Sequence, residues 1–181
     1  NHLISGTTSL ETLQSKQAYE RIAKSYGIQV KSYRADNLRF DDLNFKGDCL
    51  KGGQDITYCG VGAHHQNAVA ESKIKEVSYG ARNILLHATR KWPSVISTVL
   101  WPYAVQAIVE RHNRLSLNEE GKSPLERFTG IQDDISPENF HTFGCPVFVL
   151  DAANQNGGIG TPKWEPRSHT GIYVGHSPCH A

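Results

Sequence analysis

A chain of 181 residues with 38% apolar residues can bury a core of ordinary domain size and still carry a small second domain. Nineteen Lys plus Arg stand against 18 Asp plus Glu, which excludes a strong field over the whole molecule, so any contact with nucleic acid must come from a local basic patch. There is no run of about 18 apolar residues and no charged-then-apolar start, so no membrane span or signal peptide is expected and the reading is intracellular, nuclear or cytoplasmic.

Residues 1–5 read as the tail of a strand. With no Met anywhere in the chain, a fragment of a longer protein is expected. After the Gly6-Thr7-Thr8 turn, Thr8 or Ser9 can cap a helix whose apolar positions are Leu13, Ala18, Tyr19, Ile22 and Ala23. Glu11, Lys16, Glu20, Arg21 and Lys24 occupy its other faces, and Gly27 stops it. Ile28 to Arg34 alternates as a strand does and runs into Ala35-Asp36-Asn37. Strand C-terminal ends collect ligands in α/β folds, although an Asp-Asn pair is first of all a turn former. A short helix with an Asp cap follows over residues 41–51, and a brief strand over 55–59. This alternation predicts helices packed on a sheet.

From Asn67 a long helix is predicted to about Arg90. At about 100° per residue, Ala70, Ile74, Val77, Ala81, Ile84 and Ala88 form one apolar row expected to pack on the sheet. Glu71, Lys75, Ser78 and Arg82 form a second row beside it. The spacing of Glu71 and Lys75 allows an i,i+4 ion pair, the plainest reading of that carboxylate. A further helix follows Trp101-Pro102, with its aromatics read as packing, and Ser123-Pro124 opens a short one. Beyond a linker at 131–137, Phe143 to Leu150 and Thr170 to Gly175 read as strands of a small β-barrel module.

Four ordered blocks carry a resemblance. Arg34-Ala35-Asp36-Asn37, then His65-Gln66-Asn67-Ala68-Val69-Ala70-Glu71, then Trp101-Pro102-Tyr103-Ala104 with His112-Asn113-Arg114 and Ser123-Pro124-Leu125-Glu126, and finally Phe143-Gly144-Cys145-Pro146 with Gly171 to Gly175 resemble the integrase of copia-type LTR retrotransposons. The resemblance implies an α/β RNase H-like core over residues 1–132, with a central mixed sheet flanked by helices, and a truncated SH3-like β-barrel over 138–181. It also implies that Asp36 and Glu71 are the second and third members of an Asp, Asp, Glu triad; 34 residues lie between them, close to the family's spacing.

The implied chemistry is strand transfer into DNA, with Mg²⁺ (or Mn²⁺) held by carboxylates and stabilising the attacking and leaving oxygens together. Lys75, Lys73, Arg82, His65 and Asn67 are the implied DNA-binding residues, DNA the partner, and a homo-oligomer the state of the full-length form. The first triad Asp has no counterpart and is expected before Asn1, so the chain alone is not expected to catalyse integration. Leu38 and Ala68 replace family glycines and Ser72 replaces a basic residue. The alternative is a non-catalytic remnant, or a nucleic-acid- or protein-binding module, with the same fold.

Zinc is not expected. Neither Cys59 with His64 and His65 nor His176 with Cys179 and His180 gives a recognised four-ligand spacing, and the four cysteines, Cys145 and Cys49 included, read as reduced thiols.

Overall fold

A computed structural model describes residues 8–35, 40–60, 67–133, 135–155 and 161–176. By compactness the chain forms two units, residues 1–76 with 127–131, and residues 77–126 with 132–181.

The first unit begins with α1, Ser9–Ser25. Thr8 caps it: its hydroxyl accepts from the Glu11 amide at 3.3 Å, and the Glu11 carboxylate accepts from the Thr8 amide at 3.1 Å, a reciprocal capping box. Gly27, at φ 73°, lets the chain turn back so that the Gly27 and Ile28 amides donate to Lys24 and Ala23 carbonyls, each at 2.9 Å. Strand β1, Ser32–Ala35, is shorter than the alternation over 28–34 predicts. Helix α2, Leu43–Lys51, starts under the Asp42 side chain, which accepts from the Asn44 and Phe45 amides, and β2 spans Asp55–Tyr58. β1 and β2 pair in parallel, Ser32 opposite Asp55 and Ala35 opposite Tyr58. Parallel neighbours need a crossover, and α2 lies in it.

Lys16 departs from the sequence reading. Placed there on a charged face, it is buried at 5% exposure, because two carboxylates and two aromatic rings surround its ammonium. Nζ lies 2.6 Å from Asp48 and 2.9 Å from Glu20, and 5.3 and 5.9 Å from the ring centroids of Tyr33 and Phe45. The Tyr33 hydroxyl and the Gln54 amide donate to Glu20, and Gln17 donates to Asp48. Burial works to lower the Lys16 pKa, but the hydrogen bonds to Asp48 and Glu20 outweigh it and raise the value. Burial likewise works to raise the Glu20 pKa, and the bonds from Lys16, Tyr33 and Gln54 together hold it below the usual carboxylate range. The Lys16 bond does the same for Asp48.

Helix α3, Ala68–Lys91, gives residues 68–76 to the first unit and the rest to the second. The second unit's core joins Ala81, Leu85 and Ala88 of α3 with Ile96, Ala104 and Ala107 of α4, Trp101–Leu115, and with Phe143. The predicted apolar row is therefore buried only in its later part. Ala70 is exposed and Ile74 is 67% exposed, while Leu85, outside the row, completes an i, i+4, i+7 stripe with Ala81 and Ala88. The buried stripe belongs to a cluster with α4 residues and Phe143, against which Ile172 at the end of β4 also packs, rather than lying on one central sheet. The α4 aromatics do not pack as expected either, Trp101 being 56% and Tyr103 48% exposed, because the small Ala104 and Ala107 form the buried face.

Helix α5 spans Pro124–Thr129, and β3, Pro146–Leu150, pairs antiparallel with β4, Ser168–Ile172. The class is mixed α/β, as expected. Among the described residues the sheets are separate and two-stranded, with neither one central mixed sheet nor a closed barrel. The boundary read at 132–138 falls inside the second unit, where Phe143 is an integral part of the helical core. No described helix is long and apolar enough to cross a membrane.

Candidate functional site

The two carboxylates singled out in the sequence belong to the end of β1 and the start of α3, with α2 and β2 between them in the chain. β1 ends at Ala35, so Asp36 is the first residue past that strand's C-terminal end; Asp36 itself lies outside the described residues. Glu71 stands in the first turn of α3, where a carboxylate is favoured by the unpaired amides and the helix dipole, and it is exposed. Among the described residues its carboxylate has no hydrogen-bond or ion-pair partner, and the bridge to Lys75 that the spacing allows is not made. A solvent-facing carboxylate of this kind is a hard oxygen donor suited to Mg²⁺ or Mn²⁺. No group of three potential metal ligands occurs among the described residues.

The basic residues differ in their engagement. Lys73 pairs with Glu76 at 2.7 Å, both about half exposed, a contact of small energetic value. Lys75 is exposed in the first unit, and Arg82 is exposed in the second. Asn67 is half-buried just before α3, and His65 lies outside the described residues. His64, Cys179, His180 and the glycine loop at 156–160 lie outside them too. Cys49 and Cys59 are buried reduced thiols, and Cys145 is half-buried. Burial pushes the Cys49 thiol up, away from reactivity. His176 is already engaged, 3.2 Å from the Glu110 carboxylate and 3.0 Å from the Asn139 carbonyl.

Sequence reasoning missed a cleft of about 270 Å³ in the second unit, lined by Asn83, Ile84 and His87 of α3, Arg111 of α4, and Thr142 and Phe143. No periodicity could have found it, since three separate segments make its wall.

Neither the protein-family models nor the curated proteins provide a match to this chain.

Proposed function

We propose that the chain comes from the DNA-joining core of a copia-type retrotransposon integrase, and that Asp36 and Glu71 are two of the carboxylates of its metal centre. The finer architecture of this reading is an RNase H-like core followed by an SH3-like module, acting on DNA and assembling as a homo-oligomer. The observation that supports it is that β1 of a parallel β1–α2–β2 unit ends at Ala35, the residue before Asp36 in the sequence, and that Glu71, in the first turn of α3, has no partner among the described residues. The ordered sequence blocks supply the rest of the support.

Bound Mg²⁺ or Mn²⁺ would activate a 3′-hydroxyl or water and stabilise the leaving oxygen. The chain's own part is to present carboxylate oxygens from a strand end and a helix start. Lys75, Arg82, Lys73, Asn67 and His65 serve the DNA, the cations through its phosphates.

The test is metal binding by the full chain. Mn²⁺ titrated into labelled protein should broaden the NMR signals around Asp36 and Glu71 together, and Asp36→Asn and Glu71→Gln should each weaken binding about tenfold or more. Broadening at one carboxylate without the other, or unchanged binding in either variant, overturns the shared-metal reading.

A further inference from the structure

We infer that the cleft between α3, α4 and the 142–143 segment is a binding site for a phosphoryl group, on inorganic phosphate, a mononucleotide or a nucleic-acid backbone, separate from the carboxylate centre. Its lining groups are the guanidinium of Arg111 and the polar side chains of Asn83, His87 and Thr142, over an apolar floor of Ile84 and Phe143. No carboxylate lines it.

The contrast along α4 isolates Arg111. Glu110 is 3.7 Å from Arg114 and 3.2 Å from His176, and Arg114 also pairs with Asp133. Those charges satisfy one another. Arg111 makes no hydrogen bond or ion pair among the described residues, and the side chains of Asn83, His87 and Thr142 make no hydrogen bond among them either. Four uncommitted polar groups around one concavity, with a guanidinium fork among them, match a ligand rich in acceptor oxygens. A phosphoryl group offers more such oxygens than a carboxylate, and the amide, ring N–H and hydroxyl can each donate to one.

The wall is rigid. Phe143 is 3% exposed in the core, and Gly144, at φ 80°, lies so near α3 that a Cβ on it would stand 2.9 Å from that of Ala88. Phe143 is therefore fixed by core packing, and the Thr142 carbonyl beside it accepts from the Cys145 amide at 3.0 Å. At about 270 Å³ the cleft is slightly below the range usual for drug-sized ligands, which fits a mononucleotide or a smaller anion.

The experiment titrates inorganic phosphate, a nucleoside monophosphate, a duplex oligonucleotide and acetate into the labelled full chain. Phosphate or the monophosphate should give saturable shifts at Arg111, His87 and Thr142. Arg111→Ala should weaken this at least about tenfold, Arg111→Lys should fall between, and Lys122→Ala, a surface control, should match the parent. Displacement by the oligonucleotide identifies backbone phosphate as the source, and its failure to compete identifies a free phosphate ligand; both sustain the inference. It is overturned if saturation is absent at affinities down to about 10 mM, if acetate binds equally, or if Arg111→Ala binds like the parent. Glu71→Gln should leave these shifts intact, so loss of the metal centre and loss of this cleft are read separately.

Discussion

The two units bury different chemistry. The first surrounds an ammonium, Lys16, with Glu20, Asp48, Tyr33 and Phe45, whereas the second buries Ala81, Leu85, Ala88, Ile96, Ala104, Ala107 and Phe143 with no charge among them. A buried ionic group need not stabilise a fold more than apolar residues of the same volume would, but removing one partner leaves the others stranded. An apolar cluster loses stability through volume instead. The first unit should therefore respond to pH and the second to truncation.

The largest effect is expected from Phe143→Ala, which removes the bulkiest buried side chain of the second unit's core cluster and should cost about 3–5 kcal/mol in denaturant unfolding. Amide exchange should quicken around Ala104 and Leu85 and little around α2. A loss under about 1 kcal/mol would mean that the alanine-rich helices close over the gap and that this core does not depend on volume.

Lys16→Ala comes next. Glu20 and Asp48 keep about a quarter of their side-chain surface in water, so they can partly rehydrate, and the expected cost is reduced to about 2–3 kcal/mol. The sign with pH follows from the shifts. Glu20 and Asp48 are held low, so their stabilisation is present above their unfolded values near about 4 and is lost as pH falls through the lower folded values. Lys16 is raised, so its contribution is present below about 10.4 and lost as pH rises through the higher folded value. Stability measured against pH should drop on the acid side in the parent and flatten in Lys16→Ala; parallel acid limbs would remove the network from the account. The smallest effect is expected from Thr8→Ala, about 1 kcal/mol confined to α1, detectable as faster exchange in its first turn.

What was legible in the sequence was local. α1, α2, α3 and α4 announce themselves through periodicity and caps, and Thr8, Gly27 and Pro102 stand where the helix ends need them. Burial was less legible. Lys16 reads as surface because Asp48, its closest partner, lies 32 residues away, and a charge inside a core is visible only once that partner is in place. Ile74 and Trp101 read as core because hydropathy alone does not say which part of a stripe finds a neighbour. For the candidate centre, the strand end before Asp36 and the helix start at Glu71 could be read from pattern, whereas the Arg111 cleft needed three distant segments brought together.

The Glu126 carboxylate closes a small detour in the chain. One oxygen accepts from the Ser123 amide at 2.8 Å and the other from the Asp133 amide at 3.1 Å, and these backbone donors hold its pKa below the usual range. Between those two anchors, residues 127–131 leave the second unit and join the first, where Phe128 sits 6.3 Å from Tyr19, ring centre to ring centre. The backbone thus passes from one unit to the other at 76, at 126 and again at 131. Neither unit is a contiguous stretch of sequence. A protease cut or gene truncation near Glu76 would not release the first unit whole, since it would remove the Phe128 ring from Tyr19, and the pieces would have to associate again to restore it.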